Sequence, residues 1–448
     1  MKTIVAGKSN LIRLLGKQVE QETEYRLMNY VLRTTCDDGI LLHNSLTGHL
    51  VLLDEEEALF LDDLPALRTA AVTELIENHF LVPTDYDEKD TVLSMRALVK
   101  RLEVPKGIES YTILTTTNCN ARCFYCYESE LPKLNMDETT ASKLVDYMIQ
   151  HREGKTLKLH WFGGEPLVCL NRIDQVCNAL KTKDVQYIST MTSNGYLFDD
   201  EVVEKATALW KLDSVQITLD GTEDVYNRTK AYVGNGENPY KRVLKNIRLL
   251  LLHSVRVIIR LNLDQHNADD LMALISELND TIGSNEKLEV YSHVLFENAG
   301  FSPIKRDEDR RAMLYARQVE LNRTLESLRL SKSHRALPFL KSHCCMADTD
   351  NATVVYPDGR LFKCEHVNIG DEYGNVDVGI INRAGIERFQ STIELEACSQ
   401  CPIFPSCILL QNCQGALDKN IYTCKYEVER ARRTLIKYYQ NNKIDLPT

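Results

Sequence analysis

The feature that most constrains this chain is a cysteine loop that directly follows a predicted strand. Three cysteines stand in the loop at the spacing C-x3-C-x2-C, at Cys119, Cys123 and Cys126. Three thiolates can bind three irons of a four-iron cluster and leave the fourth iron without a protein ligand. An open coordination position distinguishes a reactive metal site from a closed structural one. The spacing therefore favours a reactive iron–sulfur site over a zinc knuckle, which usually has paired C-x2-C arms.

Composition and charge restrict the setting and the partners. The 448 residues are enough for two or three domains, and no run of eighteen apolar residues occurs. The start, Met1-Lys2-Thr3, lacks the apolar region of a signal peptide, so we expect a cytoplasmic protein without a membrane partner. Fourteen cysteines in such a protein indicate metal binding rather than disulfides. The net charge of -11 disfavours nucleic acid as a partner.

The central part of the chain predicts an α/β barrel. Predicted strands and helices alternate there, which indicates parallel strands with crossover helices. The predicted strands are 111–117, 156–162, 187–192, 214–219, 256–263 and 287–295. Active sites of such barrels lie at the carboxyl ends of the strands. The cysteine loop follows the first strand, so residues at the other strand ends are candidates for the same site.

Short motifs follow several of these strands. Gly163-Gly164-Glu165-Pro166 ends the second, Ser193-Asn194 the third, and Leu219-Asp220-Gly221, with Arg228 beyond it, the fourth. Together with the cysteine loop, these stretches resemble the radical S-adenosylmethionine (SAM) enzymes, which implies a partial (β/α)6 barrel with SAM on the open iron. The resemblance implies SAM contacts from Tyr125, Gly163, Gly164, Glu165, Pro166, Ser193, Asn194, Arg228 and Leu263. It implies no particular catalytic acid or base.

Cysteines recur near the C-terminus. Asp358-Gly359, between Cys345 and Cys364, is typical of a tight hairpin turn. This spacing, with the later cysteines, resembles the SPASM domain, although C-x2-C spacing leaves zinc open as an alternative. The resemblance implies two auxiliary four-iron clusters, three clusters in all. The implied outer ligands are Cys398, Cys401, Cys407 and Cys424, and the inner ones Cys344, Cys345, Cys364 and Cys413. Either Cys344 completes the inner cluster, or that cluster has an open iron.

The N-terminal segment, residues 1–106, predicts a small separate domain. A hairpin at 30–43, a third strand at 49–53 and three short helices resemble the winged-helix domain that binds leader peptides in peptide maturases. Residues 1–108 hold twelve Lys and Arg against eighteen Asp and Glu, whereas a DNA reader requires a basic face. An inert N-terminal cap is the alternative, because fold analogy does not fix function.

Four segments follow from these predictions: a peptide-recognition domain, the barrel, a helical linker and the SPASM domain. Their bounds are 1–106, 107–300, 301–342 and 343–448. The resemblance implies a peptide maturase that forms a thioether to a cysteine of a ribosomally synthesised precursor, with flavodoxin or ferredoxin as electron donor. The alternatives are a formylglycine-forming sulfatase maturase, a carbon–carbon cross-linking maturase and an iron–sulfur electron carrier or sensor.

Overall fold

The computed structural model divides the chain into two compact units. The first comprises Met1–Val104, His334–Cys345 and Ser391–Thr448, and the second comprises Pro105–Ser333 and Met346–Gln390. The residues described are 1–15, 24–59, 61, 70–103, 107–154, 156–234, 236–295, 308–331, 337–343, 345–366, 369–390, 394, 396–407 and 421–442. The predicted C-terminal domain at 343–448 is thus shared between the two units.

The first unit begins with an antiparallel sheet. Its strands, with a separate two-stranded pair, are β1 (Lys2–Val5), β2 (Tyr25–Leu27), β3 (Val31–Cys36), β4 (Gly39–Asn44), β5 (Leu50–Leu53) and β6 (Leu81–Pro83). The sheet order is β1-β5-β4-β3, and β2 pairs with β6. The expected hairpin turns at Gly39, which has a φ of +138°. A Cβ atom there would lie 2.1 Å from the carbonyl oxygen of Leu53, so this turn requires glycine.

Helices cover this sheet. They are α1 (Ser9–Leu15), α2 (Glu55–Leu59), α3 (Ala70–Glu77) and α4 (Glu88–Leu102). The N-cap of α4 is Asp87, whose carboxylate accepts a 2.9 Å hydrogen bond from the backbone N–H of Asp90. The helix buries Val92, Met95 and Arg96. A buried arginine is unusual, and its contacts are described below.

The second unit contains the parallel sheet that the sequence predicts. Its strands are β7 (Ser110–Thr116), β8 (Leu157–Gly163), β9 (Tyr187–Ser193), β10 (Leu212–Leu219), β11 (Arg256–Leu263) and β12 (Leu288–Val294). Each pairs in parallel with its neighbour in sequence. The accompanying helices are α5 (Glu138–His151), α6 (Leu170–Thr182), α7 (Asp200–Ala208), α8 (Glu223–Lys230), α9 (Pro239–Leu252), α10 (Ala268–Thr281), α11 (Glu308–Ser327) and α12 (Ala384–Gln390). The α/β class with a parallel sheet is confirmed.

Alternation along each strand separates two faces of this sheet. In β8, Leu157, Leu159 and Trp161 are buried in the core. His160 and Phe162 point to the opposite face, because successive side chains of a strand alternate. We call this opposite face the inner face. The carboxyl ends of all six strands lie along one edge of the sheet, which brings the cysteine loop and the strand-end motifs together.

A feature that the sequence did not predict extends this sheet. The strands β13 (Ala352–Val355), β14 (Arg360–Phe362), β15 (Gly374–Asn375) and β16 (Gly379–Ile380) continue it beyond β7. Strand β13 runs parallel to β7, and the later strands are antiparallel. The predicted hairpin is present at Gly359, where φ is +85°. The extension places Cys364, two residues after β14, in the same unit as the cysteine loop.

The chain then completes the first unit. Two 3-10 helices, Glu396–Gln400 and Phe404–Ser406, carry the next cysteines, and α13 (Ile421–Asn442) packs on β3. Leu435 and Tyr439 of α13 share a small core with Leu32 and Leu41. Within the described part of the chain, no helix combines the length and the apolar character needed to cross a membrane.

Candidate active site

The cysteine loop is fixed by hydrogen bonds at both ends. At its start, the hydroxyl oxygen of Thr116 accepts a 2.9 Å bond from the backbone N–H of Asn118. Further on, the N–H of Arg122 donates to the carbonyl of Lys230 at 2.8 Å. The N–H of Val233 donates to the carbonyl of Asn120, also at 2.8 Å. The loop is therefore held between the end of β7 and the end of α8.

The three thiols of this loop form a half-buried group. The N–H of Cys126 donates to the carbonyl of Cys123 at 3.2 Å, which is a tight turn between two of them. Burial raises the pKa of the Cys119 thiol to about 11; the N–H of Ala121 opposes this shift, and the negative charges of Glu165, Cys123 and Cys126 add to it. Burial likewise raises the pKa of Cys126. Thiolates that repel one another in a buried site favour a positively charged partner.

These thiols fit an iron–sulfur cluster. Among the described residues, no three His, Cys, Asp or Glu side chains are grouped as they would be around a single metal ion. A cluster imposes a different geometry, because each cysteine binds a different iron. Cys119, Cys123 and Cys126 are all free thiols on one loop, and they would hold three irons of the cluster.

Close packing between two loops explains the glycine pair after β8. Gly163 has a φ of +110°, and a Cβ there would lie 2.2 Å from the carbonyl oxygen of Thr116. A Cβ on Gly164 would lie 2.3 Å from the carbonyl oxygen of Asn118. The N–H of Gly164 donates to Thr116 at 3.0 Å, and that of Glu165 donates to Asn118 at 2.9 Å. The glycines thus let the backbone after β8 pair with the cysteine loop, and Pro166 then begins a 3-10 helix.

Glu165 ties the ends of β8 and β9 together. Its fully buried carboxylate accepts hydrogen bonds from the Ser193 hydroxyl at 2.9 Å, the Asn194 N–H at 2.8 Å and the Leu167 N–H at 3.2 Å. Burial raises the pKa of Glu165 to about 7 against these bonds. The Asn194 side chain donates in turn to the Asn120 side chain of the cysteine loop at 2.7 Å. Three of the predicted SAM contacts, Gly164, Glu165 and Asn194, therefore donate hydrogen bonds to the cysteine loop or to Thr116 at its start.

A buried polar group lies beside the loop at the end of β10. Lys230 Nζ lies 3.0 Å from Asp220 Oδ2 and donates to the Tyr125 hydroxyl, also at 3.0 Å. The Tyr125 hydroxyl donates to Asp220 Oδ1 at 2.8 Å, and the Asn262 amide donates to the same oxygen at 3.1 Å. Burial disfavours the Lys230 ammonium, but the charges of Asp220, Tyr125 and Cys123 outweigh it and hold the pKa of Lys230 well above its ordinary value. Lys230 is therefore a buried ammonium ion, paired with Asp220, beside the cysteine loop.

The structure favours Lys230 over Arg228 as the cation of the site. Arg228 is exposed on α8, whereas Lys230 is only 3% exposed. The reason is helical periodicity: Tyr226 and Lys230 lie four residues apart on the buried face, and Arg228 lies between them on another face. An apolar or aromatic residue four positions before Lys230, here Tyr226, indicates that Lys230 lies on the buried face of the helix. This spacing was the signal available in the sequence.

Leu263 also differs from the prediction. It is fully buried and belongs to the core between the sheet and the helices. Asn262, its neighbour, points the other way and bonds to Asp220. Alternation along β11 explains the difference, because only one of two consecutive side chains can face the site.

Polar side chains that the sequence analysis did not identify line the inner face. His160 contacts the hydroxyls of Thr190 at 2.8 Å and Thr192 at 3.2 Å, and burial lowers its pKa to about 4. On β11 and β12, Arg260 Nη2 lies 3.2 Å from His293 Nδ1. Alternation of polar residues in β9, β11 and β12 was the available signal, but it does not distinguish an inner face from a solvent face.

The other predicted cluster ligands are placed unevenly. Cys364 lies in the second unit, and Cys345, Cys398, Cys401 and Cys407 lie in the first. The N–H of Cys401 donates to the carbonyl of Cys398 at 3.2 Å, as expected for a C-x2-C turn. Cys344 and Cys413 are outside the described residues, and for Cys424 the description covers only the backbone, in α13.

Comparison with known proteins agrees with this site. Residues 113–278, from β7 into α10, match the family model described as the Radical SAM superfamily. The second unit therefore contains a radical SAM domain, the domain of an enzyme superfamily.

Individual relatives match parts of the chain. This chain is 23% identical over 200 residues to the radical SAM cyclopropyl synthase TigE of Paramaledivibacter caminithermalis, and the aligned region covers 40% of each chain. It is 28% identical over 156 residues to an uncharacterized protein of Methanocaldococcus jannaschii, covering 33% of this chain and 51% of that one. The chain thus spans about half or less of these relatives' lengths.

Solved structures share the fold. The anSMEcpe structure with bound AdoMet and the Kp18Cys peptide has a TM-score of 0.58 at 17% identity, covering 74% of this chain and 99% of that one. Streptococcus suis SuiB bound to its precursor peptide SuiA has a TM-score of 0.52 at 14% identity, covering 86% and 94%.

Proposed function

We propose that this protein is a radical SAM maturase that forms a thioether in a ribosomally synthesised precursor peptide. The observation that carries the proposal is the pairing of the cysteine loop with the backbone of Gly164 and Glu165, beside the buried Lys230. The shared fold with peptide-bound anSMEcpe and SuiB supports a peptide substrate. The cysteine-rich C-terminal part supports additional clusters.

The cysteine loop and its surroundings hold the cluster and SAM in this proposal. Cys119, Cys123 and Cys126 would hold three irons of the cluster, and SAM would occupy the fourth. When bound, the cluster and SAM supply a 5′-deoxyadenosyl radical that takes a hydrogen atom from the substrate. The protein contributes backbone acceptors at Gly163, Gly164 and Pro166, and the polar groups of Tyr125, Glu165, Ser193 and Asn194. Lys230, rather than Arg228, pairs with the SAM carboxylate.

The inner face of the sheet receives the substrate residue. This face carries polar side chains, Arg260 and His293 among them, and side chains that converge at strand ends are typical of barrel active sites. Forming the thioether breaks one C–H and one S–H bond and makes one C–S bond. The hydrogen atom would leave with 5′-deoxyadenosine, the thiol would lose a proton, and an auxiliary cluster held by the C-terminal cysteines would accept the remaining electron.

The C-terminal cysteines provide that electron acceptor. The proposed outer cluster uses Cys398, Cys401, Cys407 and Cys424, and the inner one uses Cys344, Cys345, Cys364 and Cys413. An open iron on the inner cluster would bind the substrate thiolate and favour its deprotonation. Flavodoxin or ferredoxin is the proposed source of the first electron.

The N-terminal sheet is the proposed leader-peptide site. Among the described strands, β1 and β3 are the edges of this sheet. An extended leader peptide can add to such an edge through main-chain hydrogen bonds. We therefore expect the isolated leader peptide to bind the full-length protein and to compete with modification of the full precursor.

Anaerobic reconstitution tests the chemistry. The wild-type protein with dithionite and SAM should release 5′-deoxyadenosine, and a Cys123→Ala variant should release none. Release by the wild type that persists in the variant would contradict the assignment of the cysteine loop. Oxidation of a cysteine or serine to formylglycine in a sulfatase-type peptide that has no leader would favour the formylglycine-forming alternative.

A further inference from the structure

The cysteine segment 396–407 is held by the N-terminal part of the first unit, mainly through Arg96. Arg96 Nη2 donates to the carbonyls of Phe404, of Pro405 at 3.3 Å and of Cys407 at 2.7 Å. Its guanidinium also stacks on the Phe404 ring, 4.5 Å from the centroid. A single side chain on α4 thus fixes the backbone that presents Cys407.

Packing around this contact gives independent evidence. Phe404 is 4% exposed and lies in the same core as Tyr30, with ring centroids 5.7 Å apart. The Ser45 hydroxyl donates to the Pro402 carbonyl at 2.6 Å. Cys398 and Cys401 pack against the same core. The cysteine segment is therefore built into the N-terminal domain rather than attached to its surface.

The Arg96 guanidinium is a buried positive charge with negative groups around it. Arg96 is only 7% exposed, and no carboxylate among the described residues lies within 4.0 Å of it. Its Nε is buried and has no hydrogen-bond partner in the described part of the chain. Burying a charge without a counter-charge is costly. Burial lowers the pKa of Arg96, and the negative charges of Cys407, Glu394, Tyr30 and Cys398, in that order, oppose this shift.

We propose that Arg96 is a positioning residue for an iron–sulfur cluster held by Cys398, Cys401 and Cys407. This inference rests on the outer cluster of the proposed function. Arg96 fixes the carbonyls of the cysteine segment and sets a permanent positive charge beside the thiolates. Cluster potentials depend on net charge and hydrogen bonding, so this cation raises the reduction potential of the cluster. The N-terminal domain then serves the cluster as well as the leader peptide.

The test measures the auxiliary clusters directly. In a background in which Cys119, Cys123 and Cys126 are all alanine, only auxiliary clusters remain. Arg96→Met, Arg96→Lys and the matched control Arg101→Met, an exposed arginine of the same helix, are reconstituted anaerobically without peptide. The readouts are iron per chain, the electron paramagnetic resonance spectrum and the midpoint potential.

We expect Arg96→Met to lower the midpoint potential or to lose about four irons per chain. Arg96→Lys keeps the charge but cannot make three carbonyl contacts, so it should keep its iron and have an intermediate potential. Arg101→Met should match the parent. If Arg96→Met does not fold, Arg96→Lys decides alone. The proposal would be overturned if both Arg96 variants had the midpoint potential and the spectrum of the parent. If only Arg96→Lys folds, the same result in that variant would overturn it.

The outcome is separable from that of the proposed function. A parent background that binds no iron would refute the auxiliary clusters themselves. A parent that binds iron, together with Arg96 variants whose iron content, spectrum and midpoint potential equal the parent's, would refute only the role of Arg96. Neither result depends on peptide modification.

Discussion

Replacing Lys230 with methionine separates its role from that of Arg228. Lys230 Nζ lies 3.0 Å from Asp220 Oδ2, and both residues are at most 3% exposed. Removing one partner of a buried ion pair costs about 3–5 kcal/mol of folding free energy. Asp220 keeps its bonds to Tyr125 and Asn262, so we expect a cost near the lower end, about 3 kcal/mol.

The same substitution should weaken SAM binding. A hydrogen bond to a charged group contributes about 1.5–3 kcal/mol, which corresponds to a roughly 10- to 150-fold rise in Kd. Equilibrium dialysis of SAM against the reconstituted protein measures this change. An Asp220→Asn substitution added to Lys230→Met removes the unpaired carboxylate and so distinguishes loss of binding from loss of folding.

Arg228→Met is the matched control, because Arg228 is exposed on the same helix. Its effect on SAM affinity should be negligible, and its effect on stability should stay within about 0.5 kcal/mol. Weakened SAM binding in Arg228→Met together with normal binding in Lys230→Met would refute the reasoning.

Three further substitutions test other parts of the site. Gly164→Ala should reduce the iron bound per chain, since its Cβ would lie 2.3 Å from the Asn118 carbonyl oxygen. Gly154→Ala introduces backbone strain of its own, at a φ of +76°, but has open space around the new Cβ and should keep its iron. Equal iron in both variants would argue against the loop pairing. Leu263→Ala should lower the free energy of unfolding by about 2–5 kcal/mol and leave the Kd for SAM unchanged, because the side chain is in the core. A raised Kd for SAM with unchanged stability would instead support Leu263 as a SAM contact. Burial lowers the pKa of His160 to about 4, below its ordinary 6.5, so the unfolded chain binds the proton first and stability falls as the pH drops from about 6.5 toward 4. His160→Gln should therefore show a smaller difference in Tm between pH 7 and pH 5 than the wild type, and an equal difference would contradict the burial of a neutral imidazole.

Local patterns in the sequence predicted the framework of the site. The six parallel strands follow from the alternation of predicted strands with helices, and the hairpins at Gly39 and Gly359 follow from Asp-Gly turns. The cysteine loop and the Gly163–Pro166 stretch were identified because both are contiguous motifs at strand ends. Features of this kind depend on neighbours in sequence.

Features that depend on distant pairing were not predicted. Strand β13 pairs with β7 although some 240 residues separate them, and Arg96 bonds to Cys407 across a separation of 311 residues. Residue type alone favours Arg228 in this motif, whereas the buried helical face favours Lys230. The side chain of Leu263 lies in the core, and the end of a strand does not by itself reveal which side of the sheet each residue faces.

The most direct test of the central claim is the mass of a short peptide encoded beside this gene. The peptide is co-expressed anaerobically with the wild-type protein or with Cys123→Ala, then treated with an alkylating reagent. The account predicts that the wild type alone removes a pair of hydrogens for each thiol that no longer reacts. Hydrogen loss with every thiol still alkylated would instead indicate a carbon–carbon or carbon–oxygen link. An unchanged peptide mass despite formation of 5′-deoxyadenosine would contradict thioether formation in that peptide.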